Sequence, residues 1–174
     1  MQFDPDERSH PSAVERKARG KHARTVSPRS EAGSWEPSPD RRDPVDIIEE
    51  GTKTAIPSLV PIRYGRMSAS PFTFYRGTAA LMAADLRDGP VTGINAQLCG
   101  DAHLSNFGLY GAPDRSMVFD INDFDETLPG PWEWDVKPLA VSMLIAARDN
   151  GFGAKKQERI VLDTVGRYRT AMAE

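Results

Sequence analysis

Two short apolar strands joined by a turn, with acidic residues at both open ends, constrain this chain more than any other segment. Phe107 to Tyr110 and Met117 to Ile121 read as strands. Gly111-Ala112-Pro113-Asp114-Arg115-Ser116 between them is rich in residues that favour turns. A hairpin of this kind brings whatever precedes its first strand beside whatever follows its second. Ahead of it stands Cys99-Gly100-Asp101-Ala102-His103-Leu104-Ser105-Asn106. Behind it stands Asp120-Ile121-Asn122-Asp123-Phe124-Asp125-Glu126.

Each cluster alone is compatible with a turn whose Asp and Asn side chains bond the backbone. Together they suggest more. Asp120, Asp123, Asp125 and Glu126 repel one another, and folding them together calls for a cation or a basic partner. An Asp, an Asn five residues on, and an Asp closing the next strand are what phosphoryl transfer needs. Asp101 is then the candidate base. Asn106 is a neutral oxygen ligand for magnesium, and Asp120 or Asp123 is the carboxylate between metal and phosphates. Spacing from Asn106 and the preceding Val118-Phe119 favour Asp120, whereas the string Asp123-Phe124-Asp125 favours Asp123. The reading leans to Asp120 as main ligand, with Asp123 near a second metal. His103 is expected to order the loop.

Charge is unevenly distributed along the chain. Between Arg8 and Arg29 seven basic residues face one acid, Glu15. Residues 1–43 are rich in Pro, Ser, Arg and Glu and nearly free of aliphatic side chains, so they cannot bury enough surface to offset chain entropy. They are expected to be a disordered arm. A solvated tail is favoured over contact with nucleic acid or anionic lipid. From Asp43 onward, 18 acids outnumber 13 bases.

Within 44–174 the periodicity predicts a short helix over 44–53 and an amphipathic helix from Phe72 to Arg87. A strand is expected over Ile94–Cys99, and Leu128-Pro129-Gly130-Pro131 reads as a rigid loop. A helix N-capped by Asp135 should reach about Asp149, and a last helix should span 154–173. Ile56 to Pro71 gives few periodic signals, although it carries Arg63 and Arg66, with Arg76 slightly beyond. These three arginines are candidates for phosphate or acidic substrate, or else for salt bridges to the surplus carboxylates.

Several other classes fail on detail. One cysteine, Cys99, excludes an internal disulfide and fits a reducing, cytoplasmic setting. The longest apolar run, Leu139 to Ala147, is too short for a bilayer, so no membrane partner is expected. An EF-hand loop starting at Asp120 would put Asp125 and Pro131 where Gly and Glu belong. A dinuclear phosphoesterase needs more histidines than His10, His22 and His103.

The residues also carry a resemblance. Gly100-Asp101-x-His103-x-x-Asn106 resembles the catalytic loop of aminoglycoside phosphotransferase-like and choline kinase-like enzymes, with Cys99 in place of their His. Phe119-Asp120-x-x-Asp123 resembles their strand-end acidic motif, and Trp134-Asp135-Val136 the helix start whose Asp braces that loop. The similarity is closer to the largely bacterial domain-of-unknown-function family 2252. It covers roughly 43–174, through Leu59 to Met67, Ser70 to Gly77, Cys99 to Gly108, Val118 to Thr127 and Pro129 to Asp135.

The resemblance implies an α+β fold, a partial protein-kinase-like catalytic lobe of helices and a short β-hairpin behind the arm. It implies an ATP- and magnesium-dependent phosphotransferase acting on a small-molecule hydroxyl. Asp101 would be catalytic, Asn106, Asp120 and Asp123 would hold the metal and nucleotide, and His103 and Asp135 would support them. No glycine-rich loop or strand lysine precedes Asp101. The resemblance places these beyond Glu174, so a span ending there is expected to be inactive by itself. The alternative is a non-catalytic, pseudokinase-type module that binds nucleotide or protein.

Overall fold

The computed structural model describes residues 11–173. It is an α+β arrangement of seven α-helices and two small antiparallel sheets among the described residues. Helix α1 spans Ala13–Val26, α2 Pro44–Thr52, α3 Val60–Met67, α4 Pro71–Arg76 and α5 Ala79–Leu86. Strand β1 (Asn95–Leu98) follows, then β2 (Phe107–Gly111), β3 (Met117–Ile121) and β4 (Leu128–Pro131). Helices α6 (Glu133–Asp149) and α7 (Ala154–Ala171) complete the described chain. None of the described helices is long and apolar enough to cross a membrane.

The sheet topology positions the candidate site. The β2–β3 hairpin has the expected register, with Phe107 opposite Ile121 and Leu109 opposite Phe119. Its flanking segments then pair as β1 with β4, Leu98 lying opposite Leu128. The loop from β1 to β2 and the turn from β3 to β4 therefore run side by side between the same two sheets. These are the segments that carry the two acidic clusters.

Pairing of β4 corrects the expectation of a loop over 128–131. Two prolines read as strand-breaking, yet Pro129 and Pro131 are two apart, so their missing N–H groups share one edge. That edge is the outer one, because the intervening backbone faces β1: Trp132 N donates to Ile94 O at 3.2 Å.

Three helical expectations also change. The single helix over 72–87 is two helices. Ser70 and Thr73 form a capping box for α4, and Gly77 ends it. A Cβ at Gly77 would sit 2.7 Å from Met67 Cγ, so a larger residue there would make the Met67 side chain shift. Helix α3 itself falls in the stretch that gave few periodic signals; the 3-10 turn Pro57–Leu59 leads into it and Pro61 lies in its first turn. Helix α6 begins at Glu133, so Asp135 is in its first turn and is not its cap.

The expected arm divides into two parts. Residues 1–10 lie outside the described residues. Within 11–43, α1 is helical, with Ser12 and Glu15 forming a reciprocal capping box. Ala, Lys and Arg favour a helix even where little apolar surface is buried, and Ala23 is the buried residue of α1. Further on, Arg41 binds both carboxylate oxygens of Asp85 at 2.6 and 2.9 Å, and Trp35 Nε1 donates to Asp85 O at 3.1 Å. These contacts tie the end of the arm to α5.

The core lies where α6 meets the β1–β2 loop. Leu98, Cys99, Ala102, His103 and Asn106 are buried, and Ser142 of α6 is fully buried. Ser142 Oγ accepts from Leu104 N at 3.0 Å and donates to Leu139 O at 2.7 Å. Tyr75 OH, on α4, donates to Pro138 O at 3.0 Å. Helix α7 packs on α6, and Trp132 stacks on Tyr168 with ring centroids 5.8 Å apart.

Candidate active site

Strand β1 ends at Leu98, and Gly100 turns the chain with φ +91, a left-handed backbone that favours glycine. Asp135 holds this turn from α6. Its Oδ2 accepts from Cys99 N at 2.9 Å and its Oδ1 from Gly100 N at 3.2 Å. Burial, with the charge of Asp135, pushes the Cys99 thiol up to about 12. Cys99 is thus a packed, protonated thiol that points toward Asp135 Oδ1 at 3.8 Å.

Asp101 comes next. Its side chain is 21% exposed, and its Oδ2 lies 3.4 Å from His103 Nε2. His103 is buried, and its Nδ1 has no hydrogen-bond partner among the described residues. The backbone closes the loop, since Asp101 O accepts from His103 N at 2.8 Å.

Asn106 joins the two segments. Its Nδ2 donates to Asp101 O at 3.0 Å and to Asp123 O at 3.1 Å. Its backbone carbonyl accepts from Asn122 N at 2.9 Å. The carboxamide oxygen takes no donor among the described residues and stays available as a ligand. A second set of bonds lies at the sheet end of the loop. Gln97 Nε2 donates to Thr127 Oγ1 at 2.7 Å, and that hydroxyl donates to Leu98 O at 2.6 Å. Between these two ties, an added Cβ on Gly100 would meet Glu126 O at 2.1 Å, so loop and turn touch backbone to backbone.

In the turn, Asp123, Asp125 and Glu126 each offer a carboxylate oxygen, all within 4.8 Å of one another. Asp125 is held below the usual carboxylate range, chiefly by a hydrogen bond from the Glu126 side chain. Glu126 is pushed up to about 7, first by that same bond, then by burial and by the charges of Asp125, Asp101 and Asp123. Three carboxylates grouped in this way are hard oxygen donors of the kind that magnesium takes.

Asp120 is not one of the three clustered acids. It is exposed on β3 opposite Gly108, and its Oδ1 accepts the N–H of Ile121 at 2.8 Å. Of the two carboxylates left open by the sequence, Asp123 is the one in the cluster. The arginines separate as well. All three are exposed, but Arg63 and Arg76 line a cavity of about 350 Å³ whose wall also includes Asp101 and Glu126, whereas Arg66 on α3 does not.

Sequence reasoning left Gly100, Glu126 and Tyr75 without roles in the site. Gly100 had a legible signal, a glycine between a strand and an Asp. Glu126 was visible as one more acid, but its closeness to Asp123 and Asp125 depends on a turn conformation. Tyr75 lies on α4 and lines the cavity, and burial followed by the charge of Asp101 drives its hydroxyl upward in pKa.

No curated protein and no solved structure matches this chain. A family model does match, over residues 55–174, which include the loop, the turn and most of the cavity lining. The chain belongs to that family, described as uncharacterized protein conserved in bacteria (DUF2252).

Proposed function

We propose that this family region is the catalytic lobe of a kinase-like phosphotransferase, which moves the γ-phosphoryl group of ATP to a small-molecule hydroxyl. The observation that carries the reading is the Asn106 bridge. One buried carboxamide fixes the backbone of Asp101 to the backbone of Asp123. Phosphoryl transfer needs little covalent help from a protein and depends on positioning and charge. A rigid junction between a candidate base and a carboxylate cluster meets that need.

Asp101 is proposed to accept a hydrogen bond from the acceptor hydroxyl and take its proton. The hydroxyl oxygen then bonds to the γ-phosphorus as the bond to the β-phosphate oxygen breaks, and ADP leaves with that electron pair. His103 positions Asp101, and Asp135 fixes the loop that carries it. Asp123 and the oxygen of Asn106 are the proposed magnesium ligands, with Asp125 and Glu126 beside them and Asp120 further along β3. Magnesium, when bound, supplies charge neutralisation of the phosphates.

The test is phosphorus NMR of the intact protein with ATP, magnesium and a panel of alcohols. A new phosphate-ester resonance that disappears with a chelator supports the reading. ATP left unchanged with every acceptor contradicts it.

A further inference from the structure

We propose that the acceptor is itself an anion, a small hydroxylated oxyacid whose carboxylate or phosphate is held by Arg63 and Arg76 while its hydroxyl meets Asp101. This rests on the phosphotransfer reading and adds the substrate class. All three residues line the same cavity of about 350 Å³. That volume is within the range of roughly 300–1,000 Å³ typical of small-molecule sites.

Both arginines are exposed and keep free N–H donors. Neither forms an ion pair among the described residues, although the cavity they line also holds Asp101 and Glu126. Arg63 gives one N–H to Gly77 O at 2.9 Å, which holds its guanidinium at the α4–α5 break. Arg76, one residue before that break, donates to no protein acceptor among the described residues. A guanidinium has five N–H donors in a planar fork matched to carboxylate and phosphate oxygens. Two of them on one small cavity leave most of those donors for a ligand.

Charge then fixes the orientation of the ligand. Asp101 and Glu126 repel an anionic group, so it binds away from them at the arginines, and the neutral hydroxyl takes the place beside Asp101. The lining also includes the apolar side chains of Leu81, Met82 and Trp134, which suit a hydrocarbon spacer. An ammonium is repelled where Arg63 and Arg76 stand, so it cannot replace the anion at that end of the ligand.

Equilibrium dialysis of the intact chain, without nucleotide, tests this with three probes of equal length: 6-hydroxyhexanoate, hexane-1,6-diol and 6-aminohexan-1-ol. The hydroxy acid should bind at least about tenfold tighter than the diol, with the amino alcohol weakest. Arg76→Gln should remove most of that preference, Arg76→Lys should keep part of it, and Arg63→Gln gives a second, separate reduction. Competition by inorganic phosphate against acetate then assigns the anion as phosphate or carboxylate. Equal binding of acid and diol, no binding of any probe, or a preference that survives both glutamine variants overturns the proposal. Because no ATP is present, the two readings fail separately. Acid preference in a protein without ATP turnover keeps the pocket and removes the phosphotransferase, and turnover onto neutral alcohols without acid preference does the reverse.

Discussion

Asp135, in the first turn of α6, accepts the backbone N–H of Cys99 at 2.9 Å, 36 residues away in the chain. The same carboxylate accepts from Gly100 N at 3.2 Å, so one side chain holds both peptides that lead into Asp101. Asp135→Ala would leave two backbone donors without partners. An unsatisfied buried donor costs about 1–3 kcal/mol, so the expected loss for two is about 2–6 kcal/mol in urea unfolding. Cys99, buried beneath this carboxylate, should react slowly with a thiol reagent in the native protein and much faster in the variant. Unchanged stability and thiol reactivity would remove Asp135 from its bracing role.

Much of this arrangement is legible in the sequence because it is local. The β2–β3 hairpin follows from two apolar strands around a Pro-Asp turn, and α7 follows from its apolar spacing. Other parts depend on distant partners. Pro129 and Pro131 look like breakers until β1 supplies an edge to pair with. Gly77 looks like a tolerated helix glycine until Met67 packs against it. Asp120 lies within β3 whereas Asp123 follows its end into the acidic turn, a distinction that depends on where the strand stops. Periodicity does not fix strand ends that closely.

Gly100 combines a positive φ with contact against the Glu126 carbonyl. Gly100→Ala therefore fails on two counts, backbone conformation and space. The expected loss is at least about 1–3 kcal/mol of stability, with the acidic turn pushed away from the loop. Amide hydrogen exchange should show faster exchange across 99–106 and 122–127 together. A variant as stable as the parent, with both segments still protected, would contradict the close approach.

Glu126 gives the stability a pH dependence with a definite sign. Its carboxyl is raised from 4.5 to about 7 in the fold, chiefly by its bond to Asp125. The folded protein therefore holds this proton where the unfolded chain has released it. The contribution is complete below pH 4.5, falls as pH rises toward 7, and is gone above that. Glu126→Gln keeps a donor without the titration. Melting temperatures across this window should fall less steeply for the variant than for the parent, and parallel curves would exclude the shared proton.

The central claim is that Asp101 takes a proton during phosphoryl transfer, and Asp101→Asn tests it most directly. In the intact protein, ATP turnover onto the acceptor should fall by about 10²–10⁴-fold, the usual worth of a general base. Binding of magnesium–ATP, measured by calorimetry on the same preparation, should change by less than about threefold, a difference well under 1 kcal/mol. Turnover that survives the substitution contradicts the mechanism. Tight nucleotide binding with no turnover in the parent protein contradicts the enzyme and leaves a binding module in its place.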